Sequence, residues 1–262
     1  MVPADGGLVA AAGLLAGTVN AVAGGGTLIA FPALLATGMP ALTANITSSV
    51  GLVTGYAGGA LGYRRELAGQ ATRLRALAIP ALLGGLTGAV VLLVTPADAF
   101  RAVVGYLVVA ACGLLGAQPW LARLVGARRA AASAASTTNR GTNSGVTWPT
   151  RAGVFLAGAY GSYFGAGLGV LLLGVLGILL PDDIQRTNAA KTLLSFGVNA
   201  IGVTVFVVSA QVSWTFAAIL LVTSCAGGVL GARLARLLPA SALRGTVVTL
   251  GLIVSVVLIV AR

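Results

Sequence analysis

Residues 17–27 read Gly17-Thr18-Val19-Asn20-Ala21-Val22-Ala23-Gly24-Gly25-Gly26-Thr27, and residues 158–169 read Gly158-Ala159-Tyr160-Gly161-Ser162-Tyr163-Phe164-Gly165-Ala166-Gly167-Leu168-Gly169. Each sits inside a long apolar stretch, about 6–37 and about 152–180, and breaks it with clustered glycines. Such runs weaken a helix and permit tight turns. Each stretch is therefore one tilted span or two half-helices folded back as a hairpin.

The rest of the chain supplies six uninterrupted apolar runs, about 43–63, 76–95, 99–117, 188–208, 213–234 and 245–261. A spanning helix needs about 20 apolar residues, and each run fits. Only 8% of the 262 residues are charged and mean hydropathy is +1.01. A soluble domain carries about 25% charged residues, so a soluble enzyme, a disordered chain and a disulfide scaffold are excluded. A polytopic membrane protein remains. The net charge of +11 comes from basic residues placed between apolar runs. It implies a lipid bilayer rather than nucleic acid as partner. Gly7 to Ala23 ends like a signal-peptidase site, but no Lys or Arg precedes it, so the segment is kept in the fold.

Loop charge chooses between the two readings of the broken stretches. As single spans they divide the 15 arginines 10 to 5 between the two faces. As hairpins they put 13 on one face and leave only Arg101 and Arg262 opposite. The second division obeys the positive-inside rule better. It predicts hairpins and both termini outside the cytoplasm. The halves of the second hairpin, about 13 residues or roughly 20 Å each, are too short to span.

The chain also repeats itself. A shift of 143 brings Asn45 onto Asn188, Ser48 onto Lys191, Gly59 onto Gly202, and Gly84, Gly85 and Gly88 onto Gly227, Gly228 and Gly231. A shift of 141 brings Gly17, Gly24 and Gly26 onto Gly158, Gly165 and Gly167. The expected fold class is thus an all-α polytopic membrane protein of two repeats, 1–117 and 151–262. Each is a glycine-broken re-entrant hairpin plus three spans. An odd number of spans gives the copies opposite orientation, a plan common in secondary transporters. Residues 118–150, rich in Arg, Ala, Ser and Thr, read as a flexible cytoplasmic linker.

The candidate site follows from the breaks. A hairpin tip inside the bilayer is tolerated where it lines a cavity, and a half-helix starting there points its positive end at an anion. Gly24, Gly25 and Gly26 form the first tip, with Thr27 just after it; Gly165 and Gly167 form the second, with Ser162 and Tyr163 just before it. The alternative for the glycines is close helix packing, and this is the reading for Gly58, Gly59, Gly84, Gly85, Gly88, Gly227, Gly228 and Gly231. A polar cluster follows each hairpin: Asn45, Thr47 and Ser48, then Asn188 and Lys191. The asparagines either cap their helices or face the substrate. Lys191, the only lysine, is read as an ammonium that attracts an anionic substrate, against snorkelling to the interface. Asn199 lies two turns further on the same face and adds a polar contact or an interhelical bond.

Asp5, Glu66, Asp98, Asp182 and Asp183 all fall in loops or at helix ends, so a buried carboxylate relay is unsupported. There is no nucleotide-binding loop, metal-ligand cluster, cofactor motif or nucleophile–base pair, and no histidine. Cys112 and Cys225 read as small core residues.

On the two glycine motifs, Pro32, Ala44 to Ser48, Asn188 to Lys191 and Asn199, the chain resembles the TauE/SafE family, the sulfite exporter and toluene-sulfonate uptake permeases, over nearly its whole length. The resemblance implies an inner-membrane transporter of sulfur-containing anions such as sulfite, sulfonates and sulfoacetate. Alternating access would come from one repeat rocking against the other. Coupling by a proton carried on the substrate, by Na+ or by the membrane potential stays open. So do an anion channel of the same plan, a non-transporting subunit of a larger complex, and homo-oligomer formation.

Overall fold

The computed structural model describes residues 3–22, 24–135, 146–180, 184–209, 211–234 and 240–260. These form helices α1 (Pro3–Val22), α2 (Thr27–Ala36), α3 (Ala41–Gly62), α4 (Arg64–Leu67), α5 (Ala71–Val94), α6 (Ala97–Ala135), α7 (Trp148–Tyr163), α8 (Leu168–Leu179), α9 (Ile184–Ser209), α10 (Trp214–Leu234) and α11 (Ala240–Val260). Four apolar segments are long enough to cross a bilayer: Ala71–Val94, Ala97–Leu121, Gln185–Val208 and Trp214–Gly231. α3 has the length, 22 residues, but polar residues interrupt its apolar face. Apolar side chains point outward, among them Leu82, Leu83, Leu86, Val90 and Val91, while Asn45, Ser48 and Lys191 are buried. A protein with greasy surface and polar interior is built for lipid. This is an all-α, multi-pass membrane protein.

Both glycine breaks lie between helices. Gly24 adopts φ +82°, and Gly165 and Gly167 adopt +81° and +84°. These are left-handed values that a Cβ would oppose. α1 ends where the Gly24 N–H donates to the Val19 carbonyl at 2.9 Å. The Gly26 N–H, at the start of α2, donates to Asn20 Oδ1 at 2.7 Å. Most of the amides that open α2 and α8 are satisfied inside their own elbows, by Gly25, Gly26, Gly165 and Gly167 carbonyls.

Close contacts give the helix directions. Along α1 and α10, Gly13 lies by Leu220, Gly17 by Ser224 and Thr18 by Gly231, so these helices are parallel. Along α3 and α10, Gly51 lies by Leu220, Gly55 by Ser224 and Gly58 by Val229, again parallel. Since α1 and α3 run the same way, the chain turns back between them at the first break. The same holds in the second half: Gly84 and Gly88 of α5 meet Phe155 and Ala159 of α7, while Leu82 and Gly85 meet Gly197 and Ile201 of α9. α3 and α9 are antiparallel. Gly59 approaches Thr192 near the start of α9, and Thr47 Oγ1 accepts from the Ser213 N–H beyond its end.

Exchanging the first-half helices α1, α2, α3, α5 and α6 for α7, α8, α9, α10 and α11 exchanges the main packing pairs: α1·α10 for α5·α7, α3·α10 for α5·α9, and α2·α11 for α6·α8. α6·α11 and α3·α9 map onto themselves.

Three sequence expectations need correction. The helix expected over 99–117 continues to Ala135 as the 39-residue α6, and α7 starts at Trp148, so much of the proposed linker is helical. Ala-rich sequence sustains a helix without apolar patterning, and about 58 Å of helix exceeds a bilayer core. Residues 136–145 of that linker, with Asp182 and Asp183, lie outside the described residues. Asn45 and Asn188 do not cap helices, because α3 starts at Ala41 and α9 at Ile184.

Candidate functional site at the meeting of the elbows

The two elbows touch. A methyl group on Gly24 would lie 2.9 Å from the Gly169 Cα, and one on Gly165 would lie 3.3 Å from Thr27 Oγ1. Phe31 of α2 stacks edge-on against Phe164 in the second elbow, with ring centroids 5.8 Å apart. Leu114 and Leu115 of α6 close over Gly167 and Gly25. Where the sequence reading expects a cavity between the tips, the tips are in contact. The cavities of ≈ 620 and ≈ 600 Å³ open at the periphery. The first lies beside Pro32, Met39, Asp98 and Arg101; the second runs between α5 and α7.

The centre is closed but polar. α3 presents Asn45, Ser48, Ser49, Leu52 and Tyr56 along one face, and α9 presents Asn188, Lys191, Thr192, Ser195 and Asn199. The i, i+3, i+4, i+7 spacing aligns each set as a stripe. All are buried except Asn188, which is half-buried. The Tyr56 hydroxyl stands beside the side chains of Asn199, Asn20 and Thr27. It completes a hydrogen bond of good geometry with none of them. Four elements, α1, α2, α3 and α9, thus converge on one point.

Several polar groups on these helices are buried without a hydrogen-bond partner: Asn20 Nδ2, Asn45 Oδ1, Tyr56 OH and Ser195 Oγ; Tyr160 OH of α7 is another. An unmade bond at a buried polar group costs about 1–3 kcal/mol. Of the four on α1, α3 and α9, three can donate and Asn45 Oδ1 accepts. Lys191 is 3% exposed. No described carboxylate pairs with its ammonium. A centre rich in donors, holding one cation and no described carboxylate, is suited to an anion.

The expected site residues separate into groups. Thr27, Gly24 and Gly165 meet at the elbows, and Thr27 shares Tyr56 with Asn199. Asn45 ties α3 to the second elbow, its Nδ2 donating to the Tyr163 carbonyl at 2.9 Å. Ser162 donates to the Val198 carbonyl at 3.2 Å, which fixes α7 on α9. Gly26 is spent on Asn20, Gly25 and Gly167 on packing against α6, and Thr47 on Ser213. Ser48 donates to the Asn45 carbonyl at 2.8 Å. Lys191 stands on the same face of α9 as Asn199, two turns earlier. Sequence reasoning assigned no role to Asn20, Tyr56, Ser195 or Tyr160. A signal existed for two of them: the 143-residue shift maps Tyr56 onto Asn199, and Ser195 lies one turn after Lys191.

These features define a polytopic membrane protein with a buried polar centre between two broken helices, the construction of a membrane transporter. The chain belongs to the sulfite exporter TauE/SafE family, whose profile matches residues 9–258. It is 24% identical over 224 residues to a "Probable membrane transporter protein ORF9" of Sinorhizobium sp., covering 86% of this chain and 80% of that protein. It is 25% identical over 229 residues to a "Probable membrane transporter protein" of Haemophilus influenzae, covering 85% and 82%. No solved structure matches the chain.

Proposed function

We propose that this membrane transporter is a secondary carrier of small anions, of the sulfur oxyanion and organosulfonate class, in the inner membrane. One observation carries the reading: Lys191 is buried without a carboxylate partner among the described residues, on a face shared with unpartnered Ser195 and with Asn199 beside Tyr56. A buried charge is costly and is kept where it works. A sulfur oxyanion or sulfonate accepts several hydrogen bonds at once through its three or more oxygens, matching the hydroxyl and amide donors near the elbows. The family supplies the sulfur chemistry.

The antiparallel α3 and α9, and the exchange of packing pairs between halves, support reading the halves as inverted repeats. Elbows that touch would have to part to admit a solute, which favours alternating access over a standing pore. The arginine distribution supports a cytoplasmic Arg64 loop and extracytoplasmic termini.

The test is a thermal-shift screen of purified protein with sulfite, sulfate, thiosulfate, taurine, sulfoacetate and carboxylate controls. A ligand that binds the folded state raises the melting point. Stabilisation by sulfur anions and not by carboxylates supports the reading; no stabilisation by any anion contradicts it. Counterflow of labelled against unlabelled anion in liposomes separates carrier from channel. Transport by the purified chain alone removes the subunit alternative.

A further inference from the structure

The glycines that read as packing residues join particular helices. On α1, α3 and α10, a methyl on Gly17 would strike the Ser224 carbonyl, one on Gly227 the Leu14 carbonyl, and one on Gly228 would lie 2.6 Å from the Gly55 carbonyl. These backbones touch with no room for a single carbon. Hydrogen bonds add to the lock: Thr18 Oγ1 donates to the Gly227 carbonyl at 3.1 Å, Thr54 Oγ1 to the Leu221 carbonyl at 2.6 Å, and Ser224 Oγ to the Gly51 carbonyl at 2.8 Å. On α5, α7 and α9 the arrangement recurs. Methyls on Gly84 and Gly88 would strike the Phe155 and Ala159 carbonyls, and one on Gly158 would lie 2.7 Å from the Ala81 carbonyl. Ser162 bonds α7 to α9.

Each trio is parallel, and each draws helices from both halves of the chain. Contact between the trios is of another kind. Each contact involves at least one side chain: Gly59 faces the Thr192 methyl group at 3.2 Å, Tyr56 faces Asn199, and the Asn45 side-chain amide donates to the Tyr163 backbone carbonyl. In lipid, helices cohere through close packing and hydrogen bonds, because apolar burial gains nothing over the lipid tails. Separating a trio would forfeit backbone contact and several bonds with no compensation. Separating one trio from the other breaks polar side-chain contacts that a bound solute can replace.

We propose that the moving bodies are these interleaved trios, α1/α3/α10 against α5/α7/α9, and not the first half of the chain against the second. The inference rests on the transport reading above and replaces the half-against-half rocking expected from the repeat alone. Any substrate is then held at the trio boundary, where Tyr56 and Asn199 meet. α2 and α8 line that boundary through Thr27 and the second elbow.

The two schemes predict opposite distance changes. In a Cys112→Ala/Cys225→Ala background, spin labels go on exposed outward positions that leave the interior intact. One pair, Leu15→Cys with Val222→Cys, joins different halves but the same trio. The other, Leu61→Cys with Ile79→Cys, joins the same half but different trios. Pulsed electron resonance distances are read in nanodiscs with and without sulfite. Sulfite uptake into liposomes is measured on the same preparations. The proposal predicts one unchanging distance for Leu15–Val222 and a distance that shifts or splits for Leu61–Ile79. A shift at Leu15–Val222 with Leu61–Ile79 fixed overturns it, as does sulfite uptake with neither distance changing. Absence of uptake for sulfite and every other anion of the screen removes the transport reading and this inference with it.

Discussion

On α3 the buried stripe runs Asn45, Ser48, Leu52, Tyr56; on α9 its counterpart runs Asn188, Lys191, Ser195, Asn199. The helices share a position in their halves, an elbow before them and a face toward each other, yet their chemistry differs. On the α3 stripe Ser48 and Ser49 both donate to the Asn45 carbonyl, while Asn45 Oδ1 and the Tyr56 hydroxyl are buried without a partner, and no residue carries a charge. The α9 stripe carries a cation without a described carboxylate partner and a Ser195 hydroxyl without any partner. One scaffold used twice has been made electrically one-sided. In the function proposed above, the repeat would supply the shape of the centre and its departures from symmetry the specificity.

Removing the charge should have the largest effect. Lys191→Met should abolish anion uptake in liposomes while the purified protein keeps its melting point, because methionine fills the same space. Uptake at the wild-type level would show that the charge is dispensable. Moving the charge sharpens the comparison: the Lys191→Ser/Ser48→Lys exchange should recover part of the uptake that Lys191→Met loses. Recovery of nothing would mean that the two stripes are not interchangeable in function. A smaller change is expected for Tyr56→Phe. Loss of one hydroxyl donor should raise the half-saturating anion concentration roughly two- to tenfold, the worth of one hydrogen bond. An unchanged value would take Tyr56 out of the site. Thr192→Ala should do least. Its hydroxyl donates only to the Asn188 carbonyl of its own helix, at 2.8 Å, and such back-bonding contributes little. Uptake should stay within about twofold of wild type; a large loss would place Thr192 among the binding groups.

Much of this comparison is legible in the sequence. The glycine breaks, the 143-residue shift and the single lysine are all visible in one dimension, and loop arginines alone favour hairpins. What is not legible depends on neighbours. Asn20 looks like part of a glycine motif until its Oδ1 is seen holding Gly26 and its Nδ2 left without a partner. Tyr56 looks like an ordinary core aromatic until α1, α2 and α9 are brought around its hydroxyl. Hydropathy places α1 and α10 in lipid but does not say that they interlock, because periodicity gives a face and not the helix that covers it. Residues 118–135 escaped because helix there rests on alanine content rather than on apolar spacing.

The proposed function turns on the Lys191 ammonium meeting an anion. Equilibrium binding of labelled sulfite to the purified protein, wild type against Lys191→Met, measures that contact without the complications of transport. The prediction is saturable binding by the wild type and affinity weakened about tenfold or more in the variant, equivalent to at least 1.4 kcal/mol. Equal affinity in two equally well-folded proteins would contradict it.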